Sequence, residues 1–215
     1  LVGSEMCIRD RFETEAHAEI HQNTTAQEIL SDFSDVGLDY WVSGYGTGGT
    51  VSGVGRVLRE KSPGTKIILT EPENAALIGS ELKQDRHSDN TPATSHSSWN
   101  PHLIQGWTPD FIPFVLQEAI DNNYFDKLLP VSGEQGITWA KRLARAEGII
   151  TGISGGSTFA IAMEVAKDAP PDSNILCMLP DTGERYLSSP LFEEIPEEMT
   201  DDEKKISLST PNYQL

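Results

Sequence analysis

The chain has 215 residues, of which 16 are basic and 33 are acidic, so its formal net charge is −17. This length suffices for one domain with a full core, and the negative charge disfavours nucleic acid and anionic membranes as partners. No apolar run approaches the ~20 residues of a membrane helix, and two cysteines do not make a disulfide framework. We therefore expect a soluble protein of a reducing compartment, which is the cytoplasm or an organelle stroma or matrix.

The first residues differ in pattern from the rest of the chain. The sequence begins with Leu1, and residues 1–10 show neither a signal-peptide pattern nor a helix or strand period. They look like foreign sequence fused to a truncated reading frame. We therefore predict a non-native leader at 1–10, one large domain at 11–192 and an acidic, solvated tail at 193–215.

The segment after this leader is polar and predicts a short helix. Its start is marked by Thr25-x-x-Glu28, which has the pattern of a capping box. His17 and His21 are spaced as in a zinc-binding helix, but Ala18 stands where the zinc-protease motif needs glutamate. No third ligand is signalled, so we expect no metal site.

Residues 39–61 predict a strand, a turn and the start of a helix. The turn is rich in glycine over residues 44–50, a segment that we call the glycine loop. Glycine permits positive φ and the close approach of a ligand, while a helix N-terminus offers unpaired N–H groups and the positive end of a dipole. A phosphate is the expected ligand, and the hydroxyls of Thr47 and Thr50 add two donors.

Two other interpretations of the glycine loop stay open. It can exist for tight packing alone, and Gly44-x-Gly46-x-x-Gly49 also satisfies the dinucleotide fingerprint, with Glu71 as the acid that binds ribose. Residues 66–71 predict a second strand, which a right-handed crossover makes the parallel neighbour of the first. The loop therefore indicates phosphate without deciding the cofactor.

A long polar stretch separates this unit from the second half of the chain. Residues 74–101 predict a loop, and loops of this length in a domain are usually functional or mobile. The stretch is a candidate lid, or equally an insertion without chemistry. Residues 102–113 are dense in proline, glycine and aromatic side chains, which predicts an ordered loop.

The second half repeats the order of strand, turn and helix. Ser132-Gly-Glu-Gln135 is a capping box for a helix that ends at Gly148. Strands that alternate with helices predict an α/β fold with a parallel sheet, in which ligands bind at the carboxyl ends of the strands. The remaining predicted elements are a short strand at 149–151, a glycine-rich turn at 152–158, an apolar helix at 159–167 and a last buried strand at 174–179.

Gly152-x-Ser154-x-Gly156 matches the nucleophile elbow of an α/β hydrolase. That fold needs an acid and a histidine after the serine, and the last histidine of this chain is His102, so the triad cannot be completed in that order. A serine at a helix start can instead cap the helix or hydrogen-bond a ring nitrogen of the ligand that the glycine loop holds.

Several motifs together carry a resemblance to a known family. They occur in order between residues 10 and 192, and together they resemble cysteine synthase (O-acetylserine sulfhydrylase), in the tryptophan synthase β, or fold-type II, group of pyridoxal-phosphate enzymes. The resemblance implies an α/β three-layer sandwich with a mostly parallel sheet, from which the N-terminal part is missing. The motifs are Gly46-Thr-Gly-Gly-Thr50 with Val51-Ser-Gly-Val-Gly55, Asp10-Arg-Phe-Glu13, Thr24-Thr25, Gln105-Gly106, Gly152-Ile-Ser154-Gly and Gly183-Glu-Arg-Tyr-Leu-Ser188.

The resemblance implies a role for each matching position. Ser154 resembles the serine that hydrogen-bonds the pyridine nitrogen, and Gly106 resembles the backbone position near the substrate amino acid. A neutral hydroxyl beside that nitrogen stabilises a pyridinium less than a carboxylate does, which favours direct β-elimination. The implied reaction replaces the acetate of O-acetylserine with sulfide to give cysteine. The implied cofactor-binding residues for pyridoxal 5′-phosphate are Gly46, Thr47, Gly48, Gly49, Thr50 and Ser154.

The chain also departs from the family. The family's Schiff-base lysine precedes the region that this chain matches, and none of its lysines falls in a matching position, so no catalytic residue is assigned. We expect a C-terminal fragment that is inactive alone. Residues 80–99 are longer than the family's turn, and residues 107–111 replace a glycine-rich stretch. Both differences leave a cystathionine-synthase-like reaction open.

The resemblance also implies partners. Cysteine synthases form homodimers and associate with serine acetyltransferase, whose C-terminal tail enters the active-site cleft. A chain without the lysine can therefore also be a regulatory partner that only binds. This interpretation stands beside the enzyme and the nucleotide-binding domain as a third possibility.

Overall fold

A parallel sheet of four strands forms the centre of the computed structural model, which describes residue 12 and residues 14–209. The strand order is β3-β2-β1-β4. The strands are β1 (Tyr40–Gly44), β2 (Lys66–Pro72), β3 (Lys127–Val131) and β4 (Ile175–Cys177). The helices are α1 (Ala16–Asn23), α2 (Thr25–Asp32), α3 (Gly49–Lys61), α4 (Phe114–Asp121), α5 (Gly133–Glu147), α6 (Ile153–Asp168) and α7 (Asp201–Ser209), with 3₁₀ turns at Gly183–Tyr186 and Pro190–Phe192.

Strand β1 is central and pairs in parallel with both of its neighbours. Tyr40 lies opposite Lys66 of β2 on one side and Ile175 of β4 on the other. Helix α3 connects β1 to β2, so the expected strand-turn-helix-strand unit is confirmed. The carboxyl ends of the strands consequently meet at one edge of the sheet, as the α/β pattern predicts.

Both faces of the sheet are covered by helices, because successive strand residues point to opposite sides. Trp41 and Ile67 pack in a cluster with residues of α3, whereas Val42 and Ile68 pack in a second cluster with residues of α6. All four side chains are at most 2% exposed. The three-layer α/β arrangement that the sequence predicts is therefore confirmed.

The two predicted capping boxes have different outcomes. The box of Ser132 and Gln135 is confirmed: each side chain bonds the backbone N–H of the other residue, and α5 ends at Gly148 with φ +70°. The box that begins at Thr25 is wrong, because Thr25 is already the first residue of α2 and Thr24 precedes it without a capping side-chain bond. The Thr24 hydroxyl instead donates to the carbonyl of Ile20 at 2.6 Å.

The strand predicted at 149–151 is wrong. Ile149 and Ile150 are about half exposed, and Thr151 forms only an isolated antiparallel bridge with Thr182. Helix α6 begins at Ile153, six residues before the predicted start. The last strand is also shorter than predicted: β4 has three residues, all partly exposed, and lies at the edge of the sheet.

The rest of the described chain has little regular structure. Residues 74–113 contain no helix or named strand, which confirms two long loops there. Every residue of α7 is exposed. In the part of the chain that the structure describes, no helix is both long and apolar enough to cross a membrane. The predicted leader at 1–10 lies outside the described residues.

Candidate functional site

The glycine loop joins the carboxyl end of β1 to the N-terminus of α3. Gly48 precedes the helix with φ +89°, a conformation that side chains rarely adopt. A Cβ on Gly48 would lie 2.6 Å from the backbone of Leu116 in helix α4. Glycine is therefore required here both by the turn and by packing. The turn leaves the first N–H groups of α3 without acceptors inside the helix.

Two histidines of helix α1 contact the hydroxyls of this loop. The Thr47 hydroxyl lies 3.1 Å from Nδ1 of His17, and the Thr50 hydroxyl lies 3.1 Å from Nε2 of His21. The other ring nitrogen of His21 lies 3.0 Å from the hydroxyl of Thr25. The sequence analysis considered these histidines only as candidate metal ligands, and it rejected that role. Their spacing of four residues was the available signal, because it places both rings on one face of a helix.

Gly106 lies directly beside the glycine loop, so the structure brings these two sequence-predicted positions together. Its φ is +82°, and its carbonyl oxygen is 2.4 Å from the place that a Cβ on Gly46 would take. The ring of Trp107 fills the corresponding space at Gly44. The N–H of Thr108 then donates to the carbonyl of Tyr45 at 2.9 Å.

The long polar stretch anchors the segment that carries Gly106. The indole N–H of Trp99 donates to the Thr108 carbonyl at 3.1 Å, and Nε2 of His102 lies 3.2 Å from the same oxygen. Thr108 has φ +37°, an uncommon value for a residue with a side chain. The Arg86 side chain donates to the Ile112 carbonyl at 2.6 Å. The stretch is therefore hydrogen-bonded to the site's border.

Ser154 lies in the first turn of α6 and is only 2% exposed. The residue that precedes this helix is Gly152, and no side chain caps it, so the alternative that Ser154 is the cap is wrong. A Cβ on Gly152 would collide with both Asp181 and Tyr186. The structure thus places two further polar side chains beside the start of α6.

Asp181 and Tyr186 form a hydrogen-bonded pair next to Ser154. The Tyr186 hydroxyl donates to Oδ2 of Asp181 at 2.6 Å, whereas Oδ1 of Asp181 is buried and has no partner among the described residues. Burial and the Asp181 carboxylate raise the pKa of Tyr186 to about 12, against a hydrogen bond from Ser154 that lowers it. Sequence reasoning missed Asp181, although it follows β4 at the ligand-binding edge of the sheet.

The apolar core connects the start of α6 to the glycine loop. Ile153 and Tyr186 share one buried cluster with Val42 of β1 and with Trp107, whose ring packs on Gly44. The two glycine-rich turns and the Gly106 segment therefore border one region at the carboxyl end of β1. This region is the candidate site.

Glu71 has a structural role that excludes the ribose contact. It is 1% exposed, and its oxygens accept hydrogen bonds from the Tyr45 hydroxyl at 2.6 Å and from the N–H groups of Ile78 and Gly79. Burial raises the pKa of this carboxyl, and these hydrogen bonds oppose the shift. Because both oxygens are occupied inside the core, the dinucleotide interpretation loses its acid.

Comparisons with known proteins find related sequences and a similar fold. A family model described as "Pyridoxal-phosphate dependent enzyme" matches residues 4–181. An O-ureido-L-serine synthase of Streptomyces lavendulae is 40% identical over 200 residues. The crystal structure of an O-ureido-L-serine synthase, 39% identical, superposes with a TM-score of 0.76 and covers 91% of this chain and 55% of that one. A cysteine synthase of Staphylococcus aureus is 35% identical over 85% of this chain and 52% of its own length. The chain therefore spans about half the length of these relatives.

Proposed function

Because the chain belongs to the family of pyridoxal-phosphate dependent enzymes, we propose that its candidate site binds pyridoxal 5′-phosphate for a β-replacement on an activated L-serine. The observation that carries this proposal is the convergence of backbone N–H groups and two hydroxyls at the N-terminus of α3. When bound, the cofactor supplies the electron sink that makes the Cα proton of an amino acid acidic.

The residues of the glycine loop fit a phosphate ester. A phosphate dianion needs several donors, and the turn supplies the helix N–H groups together with the hydroxyls of Thr47 and Thr50. Among the described residues, these two hydroxyls contact His17, His21 and the N–H of Gly49, and none of these partners is acidic. We assign the phosphate to residues 46–50 on this basis.

At the other end of the site, we assign the ring nitrogen of the cofactor to Ser154. The Tyr186 hydroxyl donates to Asp181, so the Ser154 hydroxyl can donate to Tyr186 and keep its lone pairs for a proton on the ring nitrogen. This arrangement places a carboxylate two hydrogen bonds behind the serine. The ring nitrogen would therefore face a serine hydroxyl that is connected through Tyr186 to the Asp181 carboxylate, and not the isolated neutral hydroxyl that the family resemblance implies.

Gly106 would border the substrate amino acid. Its carbonyl oxygen lies against Gly46. A Cβ on Gly106 would meet nothing within 4 Å, so there is open space beside the glycine loop. Of the described lysines, Lys141 bonds Glu194 and Lys66 bonds Asp126, so neither points to the candidate site. Because none of the chain's lysines falls at the position of the family's Schiff-base lysine, we assign proton transfer at Cα to no residue of this chain and expect the 215-residue chain alone to show no turnover.

The first candidate reaction makes cysteine from O-acetyl-L-serine and sulfide. The Cβ–O bond breaks, acetate leaves with the electron pair, the sulfur of hydrosulfide bonds to Cβ, and the proton lost from Cα is returned. The identity of 35% to a cysteine synthase supports this choice. Homocysteine as the nucleophile would give cystathionine by the same steps.

The second candidate reaction makes an O-ureido product. The 40% identity to an O-ureido-L-serine synthase extends over 93% of this chain, which favours it specifically. In a β-replacement, the oxygen of hydroxyurea would bond to Cβ in place of sulfur. The leaving group and the cofactor would stay the same.

The test uses the full-length gene product with O-acetyl-L-serine and, in separate reactions, sulfide, homocysteine or hydroxyurea. Mass spectrometry of the products identifies the nucleophile, and we expect one of the three to give at least a ten-fold higher rate. Thr47→Val should abolish turnover, whereas Ser88→Ala in the exposed loop is the control. Absence of all three products, together with no absorbance of a bound cofactor, would overturn the proposal.

A further inference from the structure

Helix α1 lies so close to helix α3 that its imidazoles reach the glycine loop. A Cβ on Gly49 would lie 2.9 Å from the ring of His17, and a Cβ on Gly53 would lie 2.2 Å from the carbonyl of Ala18. Glycine at these two positions of α3 therefore permits the contact. The consequence is a layer of two histidines behind the hydroxyls of Thr47 and Thr50.

The hydrogen bonds of Thr47 depend on which atom of His17 carries a proton. A hydroxyl has one hydrogen to donate and two lone pairs. The N–H of Gly49 donates to the Thr47 oxygen at 3.3 Å, which uses one lone pair. If Nδ1 of His17 donates to the second, the hydrogen of Thr47 remains for a ligand. If Nδ1 is instead unprotonated, that hydrogen is spent on the histidine.

At the second contact, between Thr50 and His21, the hydroxyl of Thr25 orients the imidazole. Burial lowers the pKa of His21, and the nearby His17 lowers it further, which favours the neutral ring. A neutral ring has one donor and one acceptor nitrogen. Thr25 lies 3.0 Å from Nδ1 and can donate to it, which leaves the proton on Nε2 for the Thr50 oxygen. The hydrogen of Thr50 is then also left for a ligand.

We propose that His17 is a positioning residue for phosphate recognition, acting through an Nδ1–H that turns the Thr47 hydroxyl into a donor toward the cofactor's phosphate ester. His21 does the same for Thr50. This inference rests on the proposed function, since it takes the glycine loop as the phosphate site. It predicts that His17 contributes to the affinity for the phosphate group of the cofactor and not to the affinity for its pyridine ring.

The experiment measures binding of pyridoxal 5′-phosphate and of pyridoxal to the full-length gene product by tryptophan fluorescence. Three variants are compared: His17→Leu, which removes the donor, His17→Asn, whose amide N–H replaces Nδ1–H, and His87→Asn in the exposed loop as the control. Circular dichroism establishes that each variant is folded. We expect His17→Leu to weaken the phosphorylated ligand by about ten-fold and pyridoxal by less than two-fold, because the Thr47 hydroxyl loses the donor that directs its hydrogen toward the charged phosphate.

The outcomes separate this inference from the proposed function. Restoration of the phosphate preference by His17→Asn supports the donor role, and equal preference in the wild type and His17→Leu overturns it while leaving the cofactor site intact. A wild-type chain that does not prefer the phosphorylated ligand overturns both. As a second readout, long-range ¹H–¹⁵N spectra with added phosphate should show Nδ1–H on His17; a ring protonated only at Nε2 contradicts the proposal even if a variant fails to fold.

Discussion

The two ends of the candidate site use the same chemical group with opposite surroundings. At the glycine loop, threonine hydroxyls are backed by the imidazoles of His17 and His21. At the start of α6, the hydroxyl of Ser154 is backed by Tyr186, which donates to Asp181. A donor behind a hydroxyl leaves its hydrogen for an anion, whereas an acceptor behind it leaves its lone pairs for a proton. The proposed roles of the two ends therefore differ in the side chains that lie behind the hydroxyls.

The two ends also differ in how their glycines are confined by neighbouring atoms. The glycine loop is confined by backbone atoms of neighbouring segments, at Gly46 by Gly106 and at Gly48 by Leu116. At the start of α6, Gly152 is confined by the side chains of Asp181 and Tyr186. Side chains can move more easily than backbone, so we expect Gly46 and Gly48 to tolerate substitution less than Gly152.

The largest effect is expected from Gly48→Ala. The new Cβ would lie 2.6 Å from Leu116, and the alanine would have to adopt φ +89°. We therefore expect a loss of about 3 kcal/mol or more in the free energy of unfolding. Urea denaturation measures it. Gly64→Ala is the matched control, since a Cβ there meets nothing within 4 Å. Equal midpoints for the two variants would contradict the confinement of the loop end.

Asp181→Asn tests the other end with a smaller change. The shape is kept and the charge is lost, so we expect about 2 kcal/mol less stability, because a hydrogen bond to a charged group is weakened. The pKa of Tyr186 should fall from about 12 toward its ordinary value, which ultraviolet difference spectra at alkaline pH measure. The ratio of affinities for pyridoxal 5′-phosphate and pyridoxal should not change. A changed ratio would show that the two ends are not independent.

Trp99→Phe tests the loop that carries Gly106 and Trp107 and borders both ends of the candidate site. It removes one of the two contacts to the Thr108 carbonyl and leaves His102 at 3.2 Å, so we expect a loss of about 1 kcal/mol. Thermal unfolding gives the value. In the double variant with His102→Ala, the loss should exceed the sum of the single losses, because the carbonyl then has neither donor. Strict additivity would argue that the two contacts do not share this acceptor.

Thr25→Val is expected to have the smallest effect, since Thr25 acts on the bound phosphate only through His21 and Thr50. The variant removes the hydroxyl that lies 3.0 Å from Nδ1 of His21 and keeps the shape of the side chain. We expect about a two-fold weaker affinity for pyridoxal 5′-phosphate, corresponding to about 0.5 kcal/mol for one neutral hydrogen bond. Fluorescence titration measures it, with Thr24→Val as the neighbouring control. A larger loss in the control would refute the assignment of Thr25.

Local patterns predicted the glycine loop, its flanking strand and helix, and the cap at Ser132, because each depends on neighbours in sequence. They did not predict the role of His17, whose partner Thr47 is 30 residues away. They also gave a strand to Ile149 and Ile150, which have the right side chains but no place in the sheet, since β4 occupies the edge next to β1. Competition for sheet positions is a property of the whole fold.

The strand order also bears on how the domain folds. Tyr40 pairs with Lys66, which is near in sequence, and with Ile175, which lies at the far end of the domain. Closing the longer loop costs more chain entropy, so we expect β1, α3 and β2 to form their contacts before β4 joins. The end with the glycine loop would then be built early, whereas the end with Ser154 and Asp181 would be completed only when β4 docks. Hydrogen exchange pulsed during refolding should protect the amides of β2 before those of β4.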